Sequence, residues 1–209
     1  LFPIRRPRVG ISVSASALSL VALRRPWFRR PIVKQVLERP LPSGLLKVSA
    51  TEPHITDLDA FAQELRALTE GLSERTIALS VPNRAMHMGV FAFDRFPDDP
   101  EERAGLIKWR FREDLNLTIG DARVMMQIFP AGTRTQVLAV AVRQTILDQY
   151  EDVCARAGLI PVSMGFSHLQ LIGLYRRLMK GARRLCVMHW AGDEFMLLLF
   201  DQGQPVFLR

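Results

Sequence analysis

Apolar positions along this chain switch repeatedly between a period of two and a period near 3.6, the signatures of strand and helix. Val9, Ile11 and Val13 alternate with Gly10 and Ser12, which predicts a strand over 9–15, paired through a short turn with a second over 17–23. Residues 24–31 carry four arginines and two prolines and read as an exposed connection. A third strand is expected over 32–38 and a short extended piece over 45–48, with Pro40 and Pro42 interrupting between them. Residues 57–69 then place Leu58, Phe61, Leu65 and Leu68 on one face of a helix, with Thr56 or Asp57 as cap and Gly71 as terminator. Ile77, Leu79 and Val81 restore the strand period until Pro82 stops it.

The same alternation continues through Met86, Met88, Val90, Phe91 and Phe93, closed by Pro97. Asp98 or Asp99, followed by Pro100, Glu101 and Glu102, starts a helix: a capping carboxylate, a proline in the first turn, and acids at the positive end of the dipole. That helix is expected to turn Ala104, Ile107, Phe111 and Leu115 inward and Arg103, Lys108, Arg110 and Arg112 outward. Strands over 124–129 and 137–142 are joined by the loop 130–133. A helix over 144–157 buries Ile146, Leu147, Tyr150, Val153 and Cys154 and ends at Gly158. A strand over 160–166 follows, then a helix capped by Ser167 and running to about residue 181. The pieces 185–188 and 195–200 form a hairpin, and Gln202-Gly203 turns into a last strand over 206–209. Clusters of strands separated by single helices exclude a helical bundle and predict a mixed α/β sheet. No fixed-period internal repeat is present.

Composition agrees with a globular fold: of 209 residues, 48% are apolar and 23% charged, enough to bury a core without disulfide or metal. Cys154 and Cys186 stand among apolar neighbours, lack a CxxC context, and read as reduced core side chains. The four histidines include no HExxH pair, and His54, His87 and His168 read as surface or capping residues. Helix capping accounts for Asp98, Asp99, Glu101 and Glu102 without invoking paired catalytic acids. Ser80 lacks the GxSxG setting of a nucleophile. The net charge of +7 comes largely from Arg5, Arg6, Arg8, Arg24, Arg25, Arg29 and Arg30. Only Trp27 and Phe28 stand there to stack bases, and no RNP, KH or zinc-finger pattern follows, so specific nucleic-acid binding is not expected. A basic edge of this kind suits anionic headgroups. The charge-free run 9–23 is interrupted by Ser12, Ser14, Ser16 and Ser19 and is shorter than the ~20 residues a spanning helix needs, so no transmembrane segment is expected.

Several motifs occur in a telling order. They are Val9-Gly10-Ile11, Leu41-Pro42, the helix opening at Asp57, Ala78-Leu79-Ser80-Val81-Pro82, and Phe96-Pro97. Glu101-Glu102 leading to Lys108-Trp109-Arg110 comes next, and the helix ending at Gly158 runs into Leu159-Ile160-Pro161. In this order, over roughly the whole chain, they resemble the PilM family of actin-like pilus-assembly proteins, to which the type II secretion protein GspL and the pilus protein MshI are related. The resemblance implies an α/β, actin-like (RNase H-like) mixed sheet. Residues 1–83 would begin the first lobe, 84–143 form a small inserted α/β subdomain, 144–184 complete that lobe, and 185–209 begin a second. A complete second lobe takes on the order of 100 more residues, which implies a fragment or a natural short form unable by itself to close a two-lobed nucleotide cleft.

Actin-like ATPases hold Mg²⁺ and phosphates on two hairpins, each with an Asp-x-Gly turn whose carboxylate orients metal-bound water. At the first position this sequence has Ser12-Val13-Ser14, and at the second His189-Trp190-Ala191-Gly192, with Asp193 out of place. Ser12, Ser14, Ser16 and Gly192 are therefore the degenerate phosphate-loop positions. A serine hydroxyl can donate to phosphate, and equally these serines can be the polar face of a strand. No catalytic residue, metal or resident cofactor is expected. The resemblance implies a cytoplasmic scaffold, peripheral to the inner membrane, that captures a short peptide of a PilN-like membrane partner. Met86, Met88, Phe91 and Phe93 would line the peptide groove or serve as core, and Arg24, Arg25, Arg29 and Arg30 would face the membrane. The alternative is an ATP-binding actin-like ATPase or kinase with a divergent cleft.

Overall fold

The computed structural model describes residues 7–24, 30–115, 120–131, 134–175, 182–191 and 194–209. Its contacts divide the chain into two compact units, Leu1–Asn83 with Thr145–Ser167, and Arg84–Gln144 with His168–Arg209.

The first unit is a five-stranded mixed sheet. β1 (Val9–Val13), β2 (Ala17–Arg24) and β3 (Ile32–Pro40) form an antiparallel meander, while β4 (Thr76–Val81) and β8 (Ile160–Phe166) add in parallel, giving the order β3-β2-β1-β4-β8. The alternation read from sequence fixes the buried face: Val9, Ile11 and Val13 pair with Ala22, Leu20 and Leu18, and all six are buried. Helix α1 (Leu58–Leu68) covers that face with Phe61, Ala62, Leu65 and Leu68, and α3 (Gln144–Arg156) contributes the five residues expected of it. Asp57, rather than Thr56, caps α1, accepting from the amides of Asp59 and Ala60 at 3.0 and 2.9 Å. Gly158, at φ 73°, ends α3 in a Schellman arrangement, with Leu159 N–H donating to Cys154 C=O at 2.8 Å. Of the extended piece expected at 45–48, only a bridge between Leu46 and Ile55 forms.

The second unit is built on the antiparallel sheet β5-β7-β6, comprising β5 (Met86–Phe93), β6 (Ala122–Ala131) and β7 (Arg134–Arg143). β7 is central and buried without a break from Val137 to Val142, because both of its faces are covered. On one face α2 (Pro100–Leu115) packs Ile107 and Phe111 against Phe91, Phe93, Val137, Ala139 and Ala141. Its cap is Asp99, which accepts from the amides of Glu101 and Glu102, both at 2.9 Å. On the other face Leu138 joins Ile172 of α4 (Ser167–Tyr175) and Val187, Met196, Leu198 and Phe200 of a second antiparallel sheet. That sheet has the order β11-β10-β9, from β9 (Arg184–Ala191), β10 (Glu194–Asp201) and β11 (Gln204–Leu208). Gln202 and Gly203, at φ 50° and 78°, form the two-residue turn between β10 and β11, matching the positive dihedrals of a type I′ hairpin. The tip of the 130–133 loop and the stretch 176–181 lie outside the described residues.

Two expectations change. Cys154 is buried but Cys186 is exposed, since its position on β9 falls on the outer face of a sheet covered from one side only. Arg110 does not point freely into solvent: its guanidinium lies 5.6 and 5.7 Å from the ring centroids of Phe91 and Phe93.

Candidate functional site

The carboxyl ends of the parallel strands β1, β4 and β8 form the position where open α/β sheets present ligand-binding loops. Here Ser12 pairs in register with Ser19 on β2 and Ser80 on β4, and Ser80 in turn with Gly165 on β8. The result is a row of hydroxyls without a carboxylate. Ser12, Ser14 and Ser16 are all exposed, while the Ser80 hydroxyl is buried and has no partner among the described residues.

The β1–β2 turn is already occupied by its own bonds. The Ser14 hydroxyl donates to the Ala17 carbonyl and accepts from the Ala17 amide, both at 3.0 Å, and Ser14 N–H donates to the same carbonyl at 2.9 Å. The Ser16 carbonyl accepts from Leu41 N–H at 2.8 Å. A phosphate cradle needs amides free to point at the anion and a carboxylate to hold the metal's water shell. The residues of this turn do not fit nucleotide–Mg²⁺, because the Ser14 amide and hydroxyl are spent on the turn and the carboxylate is missing. Gly192 lies outside the described residues, and among those described no group of three His, Cys, Asp or Glu side chains is placed to hold a metal ion.

The four residues expected along a peptide groove separate by strand parity. Phe91 and Phe93 lie beneath α2, with Phe91 edge-on to Phe111 at 5.1 Å between centroids. Met88 packs on the opposite face of the sheet, half-buried, and Met86 is buried. They do not share one surface. Arg24 and Arg30 are exposed at either end of the β2–β3 connection, and Arg25 and Arg29 lie outside the described residues.

In the second unit β6 is an edge strand, and its described side chains between Val124 and Phe129 are all half-buried. Beside it is a cavity of about 160 Å³ lined by Met125, Met126 and Gln127 of β6, Leu138 and Val140 of β7, and Leu169 and Ile172 of α4. Sequence reading missed it because its walls come from three separate segments. The apolar alternation of β6 and the Leu169/Ile172 spacing were legible, but not their meeting. A second unread feature is the outer face of β9–β11, where Met188, Trp190, Phe195 and Phe207 are exposed.

The histidines are less peripheral than their isolation in sequence suggested. His54 is fully buried, with Nδ1 2.9 Å from the Tyr150 hydroxyl and Nε2 on the Ser49 carbonyl. Burial lowers its pKa below 6.5, with the Ser49 hydrogen bond opposing. His168 is also buried, edge-on to His189 at 4.6 Å. Its pKa is lowered by burial and then by His189, while Glu194 acts in the other direction. Both ring nitrogens of His54 are hydrogen-bonded, and among the described residues no carboxylate cluster surrounds either histidine to suggest general acid–base work.

The mixed sheet of the first unit, and the insertion of a second α/β unit between its β4 and α3, define an actin-like ATPase fold. No protein-family model matches the sequence, and no curated protein does. Among solved structures, the chain superposes on one in the PilM–PilN type IV pilus biogenesis complex with a TM-score of 0.78 at 22% identity, over 98% of this chain and 61% of that one. It also superposes on the cytoplasmic domain of EpsL, an inner-membrane component of the Vibrio cholerae type II secretion system (TM-score 0.54, 8% identity, 94% and 68% coverage). A Bacteroides thetaiotaomicron protein with an actin-like ATPase fold and unknown function matches similarly (TM-score 0.54, 12% identity, 96% and 67% coverage). The chain thus spans about three-fifths of the first of these and about two-thirds of the others.

Proposed function

We propose that this chain is a scaffold component of a type IV pilus or related secretion assembly, binding a short extended segment of a PilN-like inner-membrane partner and not hydrolysing ATP. The observation that carries the reading is the superposition on a chain of the PilM–PilN complex over 98% of the present sequence. The β1–β2 turn supports its second half, since Ser14 spends its hydroxyl and amide within the turn and no carboxylate takes the Asp-x-Gly position. In this reading the protein works at the cytoplasmic face of the inner membrane, and among the described residues no helix is long and apolar enough to cross it. Residues 84–143 form the inserted subdomain, with Met86, Met88, Phe91 and Phe93 shaping it from within, and 185–209 begin the second lobe. Arg24, Arg25, Arg29 and Arg30 rest against anionic headgroups.

Fluorescence anisotropy with the labelled cytoplasmic N-terminal segment of a PilN-like protein tests the first half, and saturable binding is expected. A segment that shows none at any accessible concentration removes the scaffold reading. Isothermal titration with ATP and Mg²⁺ tests the second half. Heat that saturates with a Mg²⁺-dependent midpoint would favour the nucleotide-binding alternative.

A further inference from the structure

The outer edge of β6 is unpaired by any strand among the described residues, although the strand is ten residues long. An edge of this kind presents a row of backbone donors and acceptors that an extended chain can complete. The cavity beside it is lined by three consecutive β6 residues. Successive strand residues point to opposite faces. Met125 and Gln127 pair with Val140 and Leu138 on β7 and share their face, while Met126 packs with the α2 cluster. The cavity therefore lies on the α4 face of the sheet against its edge strand β6, with Leu169 and Ile172 of α4 as the facing wall. At about 160 Å³ it is close to the size of an apolar cavity known to admit benzene, which suits one leucine-sized or aromatic side chain.

Charge sets the remaining position. Arg123 is exposed and lies two residues before Met125, on the same face of β6, as their partners Val142 and Val140 on β7 require. Along a paired strand that spacing is about 7 Å. We infer that the β6 edge takes one extended partner segment by strand addition, with an apolar side chain filling the cavity and a carboxylate two residues away meeting Arg123. This rests on the scaffold reading for its biological partner but not for its chemistry. It specifies what that partner must carry: an apolar residue and an acid at alternate positions of an extended stretch.

The test uses the full chain and dye-labelled, acetylated nonapeptides of serine and threonine with leucine at the centre and aspartate two positions away, in both chain directions. Controls carry lysine for the aspartate or glycine for the leucine. One direction of the leucine–aspartate peptide is expected to bind about three- to five-fold tighter than its lysine form, the size of an exposed ion pair, and about ten-fold tighter than its glycine form. Arg123→Glu, an exposed substitution, should invert the aspartate–lysine preference. Ile172→Trp, filling the cavity, should weaken the leucine peptide towards the glycine one. Amides 124–128 should exchange more slowly with the peptide bound. Equal binding of all peptides, no binding, or an unchanged preference in Arg123→Glu overturns the inference, whether or not Ile172→Trp folds. A PilN-like segment that binds wild type and Arg123→Glu equally overturns it while leaving the scaffold reading intact. If the PilN-like segment fails on wild type while the nonapeptides still discriminate, the scaffold reading falls and the β6 site stands.

Discussion

Tyr150→Phe isolates one hydroxyl whose loss is calculable. Tyr150 is fully buried on α3, and its ring also meets Phe61 of α1 edge-on, a contact that phenylalanine keeps. The Ser49 carbonyl can only accept, so His54 carries its proton on Nε2 and its Nδ1 accepts from the tyrosine hydroxyl at 2.9 Å. Gln149 holds the same loop, accepting from His54 N–H at 2.7 Å and Ile55 N–H at 3.1 Å and donating to the Ile55 carbonyl at 3.2 Å. Removing the hydroxyl leaves a buried acceptor without a donor, at a cost of about 1–3 kcal/mol. For a chain of this length each kcal/mol lowers the melting temperature by about 2–4 °C. Urea and thermal unfolding followed by circular dichroism at about pH 7.5 read the loss. A change below about 0.5 kcal/mol, the size of an ordinary surface substitution, refutes the assignment.

The same network carries a pH signature. The folded pKa of His54 lies below its ordinary value of 6.5, mainly through burial, so the unfolded chain takes up the proton first. Its contribution is complete above about 6.5 and is lost as pH falls from there towards the folded value, with a slope of at most about 1.4 kcal/mol per pH unit for one histidine. His87, lowered by burial and then by Arg143, and His168 act with the same sign. His54→Gln should therefore flatten the acid limb by one histidine's share and leave the other two. An unchanged limb would contradict a neutral, buried His54.

Gly89→Ala would place a methyl 2.5 Å from the Phe91 ring, which is wedged against Phe111, so about 1–3 kcal/mol of stability should be lost in thermal unfolding and partly recovered by adding Phe91→Leu. Thiol titration with a disulfide reagent should count one reactive cysteine per native chain, the exposed Cys186. Cys154, whose thiol burial and then Glu151 push up to about 12, should react only in denaturant. Asp57→Ala should cost about 1 kcal/mol through two lost cap bonds, and Asp57→Ser should restore most of it in the same melts.

Much of the fold was legible because its signals are local. The caps at Asp57 and Asp99, the stop at Gly158 and the Gln202-Gly203 turn each depend on a few adjacent residues, and the structure realises all four. The candidate site was less legible for the opposite reason. Phe91 and Phe93 look like groove residues on an isolated strand, and only the arrival of α2 on that face makes them core. His54 has no suggestive neighbour in sequence, yet it meets Tyr150 across 96 positions.

The sequence by itself determined the type and order of the elements and the absence of carboxylates at the Asp-x-Gly positions, since period and residue identity are properties of the chain alone. The tertiary structure decided what lies beside what: the order β3-β2-β1-β4-β8, the bonds that occupy the β1–β2 turn, and the cavity at the β6 edge. Alternation tells that a strand has two faces, but which face is covered, and which edge is left open, is set by partners tens of residues away.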